Sequence, residues 1–121
     1  MGGGLSKEER LSGRNAISDL MKKGKYGNES FLRYCYSRGS GLPVNRILVS
    51  VPKRNFKRAV KRNLLKRRLR ESYRLQKELL GGPGIDLLFI YTAKEVLPSD
   101  EIRSAVRRVL LSVASREGAS E

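Results

Sequence analysis

The sequence predicts an α+β fold, a two-layer sandwich with helices packed on one small sheet, in the order helix, strand, strand, helix, strand, helix. Three observations predict it. Residues 47–51 form a β-branched run and residues 85–91 an apolar run, both of strand length, with a long helical pattern over 56–80 between them. A length of 121 residues suits one domain with one modest core. A hydrophobic content of 39% can fill that core and is too high for a disordered chain.

Along the chain, residues 1–10 show no periodicity and are expected to form a flexible leader. The domain proper is expected over 11–115. Ile17, Leu20 and Met21 recur at i, i+3 and i+4 and predict a first helix over 15–23, stopped at Gly24. Tyr26, Gly27 and Asn28 read as a loop. A strand is expected over 31–36, with Phe31, Arg33 and Cys35 on one face and Leu32, Tyr34 and Tyr36 on the other. The Gly- and Ser-rich stretch 37–43 turns the chain toward the second strand, 47–51, where a one-residue slip would bury Ser50. Gly81-Gly82-Pro83-Gly84 ends the long helix, and the third strand follows. Pro98-Ser99-Asp100-Glu101 reads as a helix start, a serine cap followed by acids in the first turn. Ile102, Ala105, Val106, Val109, Leu110 and Val113 give that last helix its apolar stripe. Residues 116–121 are expected to be a flexible tail. The segment 47–91 reads as a parallel crossover, for which general statistics favour the right hand.

Charge narrows the function. There are 26 Lys and Arg against 12 Asp and Glu, a formal +14. So small a domain repels itself, and a polyanion would relieve the repulsion; nucleic acid is the first candidate and an anionic membrane surface the rival. The absence of histidine removes the commonest general base and metal ligand. A single cysteine, Cys35, excludes an internal disulfide and a zinc cluster, and is expected in the core. No apolar run approaches the ~20 residues of a spanning helix, and no signal peptide is visible, so the chain reads as cytoplasmic. Met1-Gly2-Gly3-Gly4-Leu5-Ser6 fits an N-myristoylation pattern; a Gly-rich leader is the simpler reading. Asp19, Glu29, Glu71, Glu78, Asp86 and Asp100 are scattered, with no spacing that suggests a two-metal cluster, so no catalytic residue is expected on the protein.

The basic charge is concentrated. Residues 53–74 hold 11 Lys and Arg and one Glu, a net +10. On a helix, Arg62, Lys66, Arg70 and Arg74 follow one another at i+4, with Asn63 and Arg67 beside them. Leu64, Leu65, Leu69, Leu75 and Leu79 are expected on the opposite arc, against the sheet. Like charges at i+4 destabilise an isolated helix by a few tenths of a kcal/mol per pair, and a phosphate backbone would relieve that. Arginine suits bidentate phosphate or base contacts. The Asn63 amide suits a base edge or a 2′-hydroxyl; capping or simple solvation would use it equally well.

The run Val49-Ser50-Val51-Pro52-Lys53-Arg54, followed by Ala59-Val60-Lys61-Arg62-Asn63-Leu64-Leu65-Lys66-Arg67-Arg68-Leu69-Arg70-Glu71, resembles the protein component of bacterial ribonuclease P. Arg62, Asn63, Lys66, Arg67 and Arg70 match that family's "RNR" segment. Met21-Lys22-Lys23-Gly24, Phe31 and Ala93-Lys94 extend the resemblance over about residues 10–113. It implies a subunit that binds a large catalytic RNA through the basic helix and promotes endonucleolytic removal of the 5′ leader of precursor tRNA. It implies magnesium held mainly by the RNA and the substrate, a protein monomeric within the complex, and an unusual left-handed crossover in a mostly antiparallel sheet. It also implies a leader-binding cleft between the first helix and the sheet, lined here by Ile17, Met21, Tyr34, Tyr36, Lys53, Arg54 and Lys94.

The sequence departs from the family in places. Leu64 stands where a third arginine is usual, so one RNA contact is expected to be missing, with Arg68 the neighbour placed to compensate. Ile17 and Met21 replace aromatics of the first helix, which weakens stacking on a leader base; packing in the core is the alternative use for both. A structural RNA-binder such as a ribosomal protein fits the charge and size. The RNR segment and the cleft positions argue against it.

Overall fold

The computed structural model describes residues 5–119. Four strands, β1 (Lys25–Glu29), β2 (Leu32–Ser37), β3 (Arg46–Ser50) and β4 (Asp86–Tyr91), form one sheet in the order β1-β2-β4-β3. The β1–β2 and β2–β4 pairs are antiparallel and the β3–β4 pair is parallel. Helix α1 (Arg14–Lys23) precedes the sheet, α2 (Ala59–Gln76) makes the crossover from β3 to β4, and α3 (Ser99–Ala119) closes the chain. A short 3-10 turn, Lys7–Glu9, comes before α1, and another, Lys77–Leu80, ends α2. The α+β architecture and the mostly antiparallel sheet agree with the sequence expectation.

Strand alternation sorts side chains onto two unequal faces. Leu32, Tyr34, Tyr36, Ile47, Val49, Leu87, Phe89 and Tyr91 join Leu65, Leu69 and Tyr73 of α2 in the main core. Ile102, Ala105, Val106, Val109, Leu110 and Val113 of α3 complete it, each fully buried. The opposite face carries a smaller cluster of Leu11, Leu20, Cys35 and Leu88, with Ala16 and Ile17 packed beside it. A fully buried aliphatic side chain stabilises by about 1.5–3 kcal/mol. By that measure α3 is firmly anchored, whereas α1 rests on Leu20 and a few partly buried neighbours. Gly24 ends α1, as expected, but for a reason of space. A Cβ there would lie 2.4 Å from the Cys35 sulfur and 2.5 Å from the Leu20 carbonyl oxygen.

Several boundaries differ from the expectation. Tyr26, Gly27 and Asn28 lie in β1 rather than a loop; their pattern is too polar to signal a strand, and pairing with β2 makes them one. The connection to β2 is tight, and Ser30 takes the left-handed region (φ 55°) that such hairpin turns require. Residues 5–10 are not a loose leader. Leu5 enters the main core, Ser6 and Glu9 form a capping box, and Glu9 pairs with Lys77. Arg10 then bridges Ile47 in parallel, and the Leu11 amide donates to the Ile47 carbonyl, which covers the outer edge of β3. Residues 1–4, with the glycine run, and 120–121 lie outside the described residues. Helix α3 runs to Ala119, past the expected boundary at 115. On α2 the buried arc is Leu65, Leu69, Ser72 and Tyr73, while Leu75 is 47% exposed and Leu64 half-buried.

Candidate nucleic-acid interface

Helical geometry sets the order in which α2 presents its charge. Each i+4 step turns about 40° further round the axis, so Arg62, Lys66, Arg70 and Arg74 wind from the core side outward. Arg62 is engaged by the protein itself. Its Nη1 donates to the carbonyl oxygens of Phe56 (2.7 Å) and Lys57 (2.9 Å), clasping the loop that leads into the helix. Lys66 and Arg70 lie half-buried along the flank, and Asn63 and Arg67 stand exposed on the outer ridge. Arg74 is paired with Glu71. Arg68 donates to the Leu97 carbonyl (2.6 Å) and so fastens the loop before α3. Leu64, Arg67, Arg68 and Arg103 line a groove of about 300 Å³ between α2 and α3. Burial first, then the neighbouring charge of Arg10, pulls the Arg70 pKa below the usual arginine range. A cation set beside another cation in a partly desolvated position is stabilised by an anion.

The second surface lies on the α1 face of the sheet. The register aligns Asn28, Arg33, Ile90 and Ser50 in one row across the four strands, and Tyr26, Cys35, Leu88 and Leu48 in the next. Leu20, Ala16 and Ile17 of α1 pack over the second row. In the first row Asn28 and Arg33 are exposed and Ile90 and Ser50 half-buried, so this row is left partly open beside the helix, where the cleft is expected. Ile17 is half-buried against the smaller cluster, and Met21 is 47% exposed. Lys53 and Arg54 follow β3, and Lys94 follows β4; all three are exposed. Because β3 and β4 are parallel, these basic residues leave the same end of the sheet, where α2 also begins.

The structure moves two expected cleft residues elsewhere. Tyr34 is 1% exposed and Tyr36 3% exposed, and both sit in the main core beneath α2 and α3. Alternation correctly paired them on one face, but that face is the one the two long helices cover. The aromatic on the cleft face is Tyr26, directly across from Cys35. Its hydroxyl donates to the Met21 carbonyl (3.1 Å), and the Arg33 guanidinium lies 5.0 Å from its ring centre. The sequence pattern puts Arg33 on this face beside Cys35 without giving it a role; assigning 25–29 as a strand would place Tyr26 there as well.

Most carboxylates with described partners serve the fold. Asp86 accepts from Arg46 Nε (2.9 Å) and Nη2 (2.8 Å), tying the starts of β3 and β4. Glu71 pairs with Arg74, Glu9 with Lys77, and Glu29 accepts from the Ser112 hydroxyl. Among the described residues no three His, Cys, Asp or Glu side chains come together to hold a metal ion. Cys35 is buried, donates to the Leu20 carbonyl, and has its thiol pKa pushed up by burial, the reverse of an activated nucleophile. No helix among the described residues is long and apolar enough to cross a membrane.

The family model Ribonuclease P matches residues 5–114. The chain belongs to the ribonuclease P protein family. Among its relatives, the ribonuclease P protein component of Porphyromonas gingivalis W83 is 39% identical over 92% of this chain and 87% of its own length. The component from Chlorobaculum tepidum is 33% identical, with 92% and 83% covered. The solved RNase P protein from Thermotoga maritima superposes with a TM-score of 0.75 at 25% identity, covering 86% of this chain and 96% of that one. The Staphylococcus aureus RNase P protein shares the fold, with a TM-score of 0.74 at 21% identity over 84% and 92%. As a ribonuclease P protein, this chain is a component of a ribonuclease and a partner of that enzyme's RNA.

Proposed function

We propose that this subunit binds the catalytic RNA of ribonuclease P through α2 and receives the 5′ leader of precursor tRNA in the cleft between α1 and the sheet. The RNA then removes the leader endonucleolytically. One observation carries the reading: the basic rim Lys53, Arg54 and Lys94 stands at the end of the sheet where α2 starts, joining the two surfaces. On α2, Arg67 and Asn63 face outward, Lys66 and Arg70 lie on the flank, and Arg62 holds the loop that positions them. Exposed arginine and lysine supply the phosphate contacts on which RNA affinity rests. The chemistry belongs to the RNA, with magnesium held by the RNA and substrate, and the protein acts as a monomer within the complex. Reconstitution with the catalytic RNA at low magnesium tests the reading. The protein is expected to restore cleavage of precursor tRNA and to tighten binding of precursor over mature tRNA. Cleavage and binding indifferent to the protein would refute it.

A further inference from the structure

We propose that Tyr26 and Arg33 together form the base-stacking platform of the cleft, supplied by the β1–β2 hairpin rather than by α1. The proposal rests on the reading of the cleft as the leader site. The chain has five Tyr and three Phe. Seven of these eight, Phe31, Tyr34, Tyr36, Phe56, Tyr73, Phe89 and Tyr91, lie in or against the main core on the opposite side of the sheet. Only Tyr26 stands on the cleft face, and it is 40% exposed. On α1, Ile17 and Met21 offer aliphatic and thioether contact in place of a ring.

The pair is held in position before any RNA arrives. The Tyr26 hydroxyl is fixed on the Met21 carbonyl at the end of α1, and Arg33 lies against the ring. A planar guanidinium set on an aromatic face loses little further freedom on binding. Arginine planes and aromatic faces both accept unstacked bases, and the cation also attracts the neighbouring phosphate. Asn28 directly across from Arg33 adds an amide at the same level. A purely structural role, in which the pair only braces the hairpin, predicts loss of stability without loss of base-dependent affinity.

The test uses the holoenzyme reconstituted with its catalytic RNA, and Tyr26→Leu, Tyr26→Phe and Arg33→Gln proteins. Probes are precursor tRNA, precursors with one abasic nucleotide placed at successive leader positions, and mature tRNA. Tyr26→Leu is expected to weaken precursor binding by at least about fivefold, with mature tRNA unaffected and Tyr26→Phe within about twofold of the native protein. An abasic nucleotide at the contacted position should bring the native enzyme down to the Tyr26→Leu affinity and cost that variant nothing more. Arg33→Gln carries the same test at an exposed position if Tyr26→Leu does not fold, as thermal melting will show. Native preference for precursor with no loss in Tyr26→Leu or Arg33→Gln overturns the platform and leaves the leader reading standing. Equal native affinity for precursor and mature tRNA overturns both. A variant loss that persists with every abasic leader makes the effect structural and also overturns the platform.

Discussion

Gly27 lacks a side chain where the Tyr34 ring needs the space. A Cβ on Gly27 would lie 2.4 Å from the Tyr34 hydroxyl and 2.5 Å from Cζ, and the ring is 1% exposed beside Tyr36, too enclosed to swing away. Gly27→Ala is therefore expected to destabilise the fold by about 1–3 kcal/mol, read as a lower denaturation midpoint; an unchanged midpoint would mean the ring is not fixed. For the same reason a change at Tyr34 acts on folding rather than on the leader. Glu9 gives a residue-scale prediction in pH. The hydrogen bond from Lys77 is the main cause holding its carboxyl below the usual carboxylate range. A lowered folded pKa means that the pairing stabilises fully above the unfolded carboxylate pKa and fades as pH falls through the folded value. Glu9→Gln should melt below the native protein at neutral pH and together with it in acid. A gap that stays constant across that range would show the pairing to be no part of the pH dependence.

Within α2, neighbouring arginines do different work. Arg62 donates two hydrogen bonds to loop carbonyls, whereas Arg67 stands exposed on the outer ridge. Arg67→Ala should leave stability unchanged, weaken binding to the catalytic RNA, and lower the salt slope by about one unit. Arg62→Ala should weaken binding and also cost about 1.5–3 kcal/mol of stability, since it removes charge-assisted bonds. Denaturation and salt-dependent binding on both variants separate the roles; equal stabilities would contradict the clasp. The sequence showed α2 clearly because its charge, its leucines and its Gly-Pro stop agree. It did not show which arginines the fold itself uses, since loop carbonyls leave no mark in a helical wheel. It missed β1 because Lys25–Glu29 is polar and holds a glycine, and only pairing with β2 makes it a strand. The cleft was misread through Tyr34 for a related reason: a period of two divides a strand into faces without saying which face the long helices will cover.

Across the whole molecule, the repulsion of the net +14 and the attraction of the ion pairs act on stability in opposite directions. Screening over a Debye length of about 8–10 Å at ordinary ionic strength weakens both. The pairs Arg74–Glu71 and Lys77–Glu9 are solvent-accessible surface pairs, which contribute little, while the repulsion is spread over a domain whose residues 53–74 alone carry a net +10. Repulsion should therefore dominate, and the melting temperature of the protein without RNA should rise by a few degrees as salt is added. Over the same range its affinity for the catalytic RNA should fall linearly on a log–log plot, because each phosphate contact displaces a counterion that added salt restores. Melting curves and binding isotherms across one salt series measure both. A melting temperature that falls with salt would mean that the ion pairs outweigh the repulsion, and the basic surface would then not be held at a cost that RNA relieves.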